Sequence, residues 1–163
     1  MIRKLLPFAL LVLLAGCGFH PRGTLAVADG LGPVRVAAAD PYSPLAYELA
    51  TALRRAGATP AADGQPGATV QVLEEKMHTR PLTVDAVVRV REYETRYTVR
   101  FEVRGADGQV RVPAQEVELS RDYTYDALQP AGSPAEQELL QEELRRDMVA
   151  AILRRIDAVL RAD

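Results

Sequence analysis

The chain has 163 residues, 48% hydrophobic and 26% charged, and carries a formal net charge of −2. That length suggests one domain, able to bury a core without metals or disulfides, and the apolar content excludes an intrinsically disordered chain. With 11 Gly and 11 Pro it is not collagen-like or of low complexity, and 20 basic against 22 acidic residues excludes bulk nucleic-acid binding, which needs a basic excess.

The N-terminus reads as a secretory signal peptide over residues 1–16. Arg3 and Lys4 form a positive n-region, Leu5 to Leu14 is an apolar run interrupted only by Pro7, and Ala15-Gly16 are small residues. About ten apolar residues span only ~15 Å as a helix, against ~30 Å of hydrocarbon, so a membrane-crossing helix is disfavoured. Leu14-Ala15-Gly16-Cys17 resembles the lipobox of bacterial lipoproteins. The resemblance implies that the Cys17 thiol takes a diacylglycerol, that the peptide is cut before it, and that the new amine is acylated. Cys17 is the only cysteine, so no intramolecular disulfide can form. Gly18, where some lipoproteins have Asp, implies by the same resemblance export to the outer membrane. Processing removes Arg3 and Lys4, leaving a mildly acidic remainder with no evident affinity for anionic membranes beyond its lipid.

Residues 17–32 are Gly-rich and read as a lipidated tether, leaving 33–163 as one domain. Pro33 to Ala38 alternates as a short strand. Ser43-Pro44 opens a helix on which Leu45, Leu49, Leu53 and Ala56 form one apolar stripe, with Arg54 and Arg55 in the last turn and Gly57 as the stop. Ala68 to His78 alternates as a strand with a more polar second half; Arg80-Pro81 is expected to break it. Residues 87–103 carry the longest strand pattern, with Tyr93, Thr95, Tyr97, Val99, Phe101 and Val103 on one face. Glu92, Glu94, Arg96, Thr98, Arg100 and Glu102 occupy the other. Gly105-Ala106-Asp107-Gly108 predicts a hairpin to a return strand over 109–125. Inward parity there moves from Val110 and Val112 to Val117 and Leu119, which predicts a bulge near Pro113. Ser133-Pro134-Ala135-Glu136 has capping-box spacing. From there a helix reaches Arg161, with Leu140, Leu144, Met148, Ile152 and Ile156 every fourth residue and Leu139, Val149, Leu153 and Val159 broadening the stripe. The order β-α-β-β-β-α predicts an α+β two-layer sandwich: a mixed four-stranded sheet with two helices on one face. The other face, rich in Arg, Glu and Thr, is left uncovered.

No enzyme signature is present. His20 and His78 are the only histidines, too few for a metal site with one lipidated cysteine. No nucleophile-elbow, phosphate-loop or dinucleotide glycine pattern occurs. Glu74 and Glu75 are adjacent in a strand, so they face opposite sides and do not form an acid/base pair. Arg89 and Arg91 precede the long strand's aromatic run and Arg80 precedes them. Three guanidiniums at one sheet end could bind phosphate, or could be solvated and paired with Glu92 and Glu94.

Cys17-Gly18-Phe19-His20-Pro21-Arg22-Gly23 resembles the mature start of the LPS-assembly lipoprotein (LptE) family, with Pro21 where the family usually has leucine. The Tyr-rich strand, the return strand ending in Arg121-Asp122-Tyr123-Thr124-Tyr125 and the final helix follow in the family's order. The resemblance implies a non-enzymatic lipoprotein, without cofactor or metal apart from the lipid on Cys17. It implies a plug and assembly factor for the outer-membrane barrel LptD, which binds lipopolysaccharide (LPS) at the periplasmic side of the outer membrane. In the family, basic LPS contacts lie near the long strand's start and before the last helix. Arg89, Arg91 and Arg80 are near the first place; Leu128 to Ser133 supplies no basic residue at the second. Two alternatives stay open: a pilot or accessory lipoprotein for a secretin or barrel-assembly complex, and a lipid-anchored periplasmic enzyme.

Overall fold

A computed structural model describes residues 31–84, 90–124 and 133–162. The elements are β1 (Val34–Ala38), α1 (Pro44–Arg55), β2 (Ala68–Val84), β3 (Val90–Arg104), β4 (Val110–Thr124) and α2 (Ser133–Leu160). They make one sheet in the order β1-β2-β3-β4, with β1 parallel to β2 and the other pairs antiparallel. The expected α+β sandwich is the observed fold.

Local chemistry accounts for the ends of α1. The Ser43 hydroxyl accepts the Ala46 N–H at 3.2 Å, and Pro44 supplies a preset φ where no helical donor is needed. At the other end the Ala58 N–H reaches the Leu53 carbonyl and the Gly57 N–H that of Arg54, a Schellman motif whose C′ residue, Gly57, has φ 95°. The β3–β4 hairpin closes with the Gly105 N–H on the Gln109 carbonyl and Gly108 at φ 78°.

The core lies between the sheet and the two helices. Leu45, Leu49 and Leu53 from α1 and Leu144, Met148, Ile152 and Ile156 from α2 meet Val70, Tyr97, Val99, Phe101 and Val103 in one buried cluster. The helix stripes read from the sequence lie on this core, with two exceptions: Ala56 is the C-cap of α1 and not part of the cluster, and Leu139, near the start of α2, is 53% exposed.

Three irregularities set which residues face that core. In β4, Phe101 pairs with Gln115 but Val103 with Val112, so β4 has an extra residue at Pro113-Ala114. This is the bulge expected from the parity change, and Val112 and Val117 are both buried. A further slip opposite Arg104 leaves Val110 48% exposed, so Val110 is not a core residue. In β2, Leu73 is the extra residue: Val72 pairs with Phe101 but Glu74 with Arg100. That slip turns Glu75, Met77 and Thr79 onto the helix face, opposite Val99, Tyr97 and Thr95.

The expected break at Arg80-Pro81 does not occur. β2 continues to Val84, Pro81 pairs with Tyr93, and His78 is interior to the strand opposite Arg96. The physical reason is the length of β1. Its last partner is Val72, so the rest of β2 is an edge strand, where a missing proline N–H is tolerated. The register shift immediately after Pro81 absorbs the remaining misfit.

Candidate interaction surface

The sheet face away from the helices carries a cross-strand ladder of opposite charges. Glu74 meets Lys76 at 2.5 Å and Arg100 at 3.9 Å. Glu94 takes Arg80 Nε at 2.6 Å and Arg96 at 3.3 Å, and Arg96 reaches on to Glu118 at 3.5 Å. Arg104 closes on Glu102 at 2.6 Å. Period-2 alternation puts every second residue of a strand on this face: Glu74–Arg100 and Arg80–Glu94 are directly opposite across β2 and β3, Glu74–Lys76, Glu94–Arg96 and Glu102–Arg104 are two apart along one strand, and Arg96–Glu118 is a diagonal pair to β4. Exposed pairs of this kind contribute only ~0.2–1 kcal/mol each. Their larger consequence is a polar, charge-compensated face on which these side chains find opposite charges within the chain, with Arg96 Nε left as a buried donor without a partner.

The predicted site residues divide accordingly. Arg80 is not in a loop; it is a β2 residue whose guanidinium is engaged by Glu94. Arg91 lies in β3, and its side chain, like Arg89 and Cys17, is outside the described residues. Glu94 is nearly buried, and its carboxyl is held below the usual carboxylate range, first by the hydrogen bond from Arg80 and then by Arg96. A depressed carboxyl contributes stability above its unfolded pKa that is lost as pH falls through the folded one. The domain should therefore lose melting temperature below about pH 4.5, and Arg80→Ala should make that acid loss smaller. Circular dichroism melts at neutral and acid pH test this; an unchanged pH profile in the variant would sink it.

On the helix side, the Leu73 slip builds a polar knot that no local pattern signals: Tyr97 and Ser43 are buried, while Glu75 keeps an exposed flank. Glu75 accepts from the Tyr97 hydroxyl at 2.6 Å and from the Ser43 hydroxyl at 2.7 Å. Glu75 thereby ties the N-cap of α1 to the centre of β3. Burial, and then the hydrogen bond to Glu75, push the Tyr97 hydroxyl well above its ordinary pKa. Glu74 and Glu75 do face opposite sides, as expected, and form no acid/base pair. Further along, Thr79 and Thr95 share a 2.9 Å hydroxyl bond, and the Tyr93 and Tyr123 rings stack at 5.3 Å between centroids.

An open groove of about 590 Å³ runs between the helices, lined in part by Tyr47, Glu48, Arg55, Glu142, Arg145 and Arg146. Arg145 reaches Glu48 across it at 3.6 Å. Among the described residues no group of three His, Cys, Asp or Glu side chains is placed to hold a metal ion. No described helix is long and apolar enough to cross a membrane.

The fold and this surface define a class: a two-layer α+β domain whose exposed sheet face is a compensated charge ladder and whose conspicuous features are surfaces, not a catalytic cleft. The family model for LptE, lipopolysaccharide-assembly, matches residues 31–156, and the chain belongs to that family. It is 29% identical to the LPS-assembly lipoprotein LptE of Photorhabdus laumondii over all of this chain and 88% of that protein. It is 26% identical to the protein of the same name from Pectobacterium atrosepticum, over 87% of this chain and 77% of the relative. The solution structure of an uncharacterized lipoprotein B from Nitrosomonas europaea shares 26% identity at a TM-score of 0.69, covering 86% of this chain and 91% of that one. The rare lipoprotein B of Shewanella oneidensis has the same fold, with a TM-score of 0.68 at 21% identity over 78% of this chain and 95% of that one.

Proposed function

We propose that this protein is a non-catalytic, outer-membrane-anchored lipoprotein that plugs the LptD barrel, assists its assembly and takes part in delivering LPS to the cell surface. Acylated Cys17 would tether it at the periplasmic side. The observation that carries the reading is the compensated outer sheet face. The lumen of an outer-membrane barrel is polar. A rigid sheet whose charges are already paired can sit in such a lumen without leaving desolvated, unpartnered ions. An apolar sheet face would have suited a lipid or protein-core contact instead. Family membership and the relatives' names support the LPS-assembly half of the reading. Arg89 and Arg91 remain the proposed phosphate contacts; Arg80 is the weaker candidate, since Glu94 already holds its guanidinium.

The test is co-purification from outer membranes in mild detergent through a C-terminal tag. A stoichiometric large barrel subunit of the LptD type is the expected result. Recovery of the protein alone, or with a secretin, would overturn the assignment and leave a pilot or accessory role.

A further inference from the structure

We infer that the end of the domain from which the N-terminal segment leaves is a docking surface for anionic phospholipid headgroups. This rests on the lipid-anchor reading above and adds a second, electrostatic contact to it.

Topology brings three features to one end. Val34 opens β1 beside Ala68 at the start of β2, Thr69 pairs with Arg104 at the end of β3, and Arg104 with Val110 at the start of β4. Leu31 and Gly32 lie against the Gly105–Arg111 turn, so the chain toward Cys17 leaves from here. Both helices end here too. The Schellman turn of α1 delivers Thr59 to the Val34 N–H. α2 runs alongside α1 in the same direction, Glu48 facing Arg145. The last turn of α1 presents Arg54 and Arg55, and α2 presents Arg154 and Arg155 five to six residues before its end at Leu160; all four are exposed.

These four differ from most arginines of the sheet; Arg35 of β1 is the exception, held by the Gln65 carbonyl. Arg80, Arg96, Arg100, Arg104, Arg111 and Arg121 each have a carboxylate partner. Among the described residues Arg54 has only the Thr51 hydroxyl, at 3.2 Å, and Arg55, Arg154 and Arg155 have no carboxylate partner. Among the described residues the carboxylates nearby are spent, Glu102 on Arg104, Asp107 on Arg111 and Asp157 on Arg161, leaving Asp63. The other end of α2 is acidic, with Glu136, Glu138, Glu142 and Glu143 in its first three turns. A chain that is acidic in sum is therefore polar along its long axis, with the positive pole toward its anchor. Fully extended, the segment from Cys17 to Leu31 spans at most about 50 Å, so the anchor holds this pole near a bilayer. Exposed arginines close to an anionic surface are attracted over roughly a Debye length.

The test uses the full-length acylated protein in vesicles carrying a quencher on the headgroups. Since Cys17 is the only native cysteine and its thiol is acylated, a fluorophore can be placed on Ala158→Cys at this end or Ala135→Cys at the other. On phosphatidylcholine vesicles with about a third phosphatidylglycerol, the Ala158 label should be quenched roughly threefold more than the Ala135 label. The contrast should vanish in molar salt, and in the combined variant Arg54→Glu, Arg55→Glu, Arg154→Glu, Arg155→Glu. Equal quenching at both positions, or the same quenching on pure phosphatidylcholine, overturns the inference; the salt and lipid comparisons need only the two singly labelled proteins, whose substitutions are at exposed alanines, and not the fourfold charge reversal. Flotation with pure phosphatidylcholine reports the anchor separately. A chain that stays off neutral vesicles but binds anionic ones refutes the anchor and supports the basic pole, and one that binds neither refutes both.

Discussion

Phe101→Ala should cost about 3–5 kcal/mol of folding stability, the usual range for emptying a buried aromatic site. Phe101 is fully buried three residues before the end of β3, with Val72 opposite on β2 and Gln115 on β4. The cost should fall in the upper part of that range because the site cannot easily collapse. The bulge at Leu73 begins directly after Val72 on one side, and the bulge at Pro113-Ala114 directly before Gln115 on the other. Both strands are pinned in register there, so neither can slide into the void without turning its alternating residues to the wrong face. Thermal melts should drop on the order of 10–20 °C. Val110→Ala and Leu139→Ala, at exposed apolar positions, should stay within about 0.5 kcal/mol of wild type. A Phe101→Ala loss under about 1 kcal/mol would mean that the sheet repacks and that the bulges do not fix the register.

Phe101 also shows what could and could not be read from the residues alone. Its place on the buried face followed from strict alternation along β3, and the α1 caps and α2 stripe followed from local chemistry that acts within a few residues. The β4 bulge was visible because proline and a parity change coincide at Pro113. The β2 bulge at Leu73 had no such marker: Val72-Leu73-Glu74-Glu75 contains neither glycine nor proline, and only pairing with β3 decides which residue is extra. The Glu75–Tyr97–Ser43 knot depends on that bulge, since unbroken alternation places Glu75 on the outer sheet face, away from Tyr97 and Ser43. Arg80-Pro81 was misread for a related reason. Proline breaks a central strand, and whether β2 is central at that point depends on where β1 stops, which is a tertiary fact.

The charge on the domain shows the same limit at larger scale. A net charge slightly below zero gave no reason to expect affinity for an anionic surface. Yet the fold spends its carboxylates on the sheet arginines and gathers unpaired guanidiniums where both helices end. The helix dipole makes that placement locally favourable for Arg54 and Arg55 in the last turn of α1, since cations suit C-termini. Parallel helices then add the two clusters instead of opposing them. Composition sums charge over the chain, while an interface responds to its arrangement.

Cys17→Ser, exported through a replacement signal that is still cleaved, should move the protein from the membrane fraction to the soluble periplasm almost completely. One acyl chain holds a protein only marginally, whereas further chains add roughly 0.8 kcal/mol per buried methylene and make anchoring effectively permanent. Serine keeps the size and loses the thiol, so no diacylglycerol is added, and behind the native signal cleavage before residue 17 would be blocked. Two consequences separate the anchor from the plug. Tethering keeps the domain near the barrel at an effective concentration on the order of millimolar, and without it binding depends on the domain's own affinity. If the charge-compensated face fits the lumen well, a Cys17→Ser protein exported through a cleavable signal should still co-purify with the barrel, at reduced yield and with no lipid. If co-purification disappears, the lipid supplies most of the association and the sheet face little. Fractionation of Cys17→Ser, with mass spectrometry of the wild-type N-terminal peptide, decides the first step. A variant that stays membrane-bound in cells lacking the barrel, with a wild-type peptide carrying no acyl mass, would refute lipidation at Cys17, and membrane attachment would then fall to the basic end of the domain.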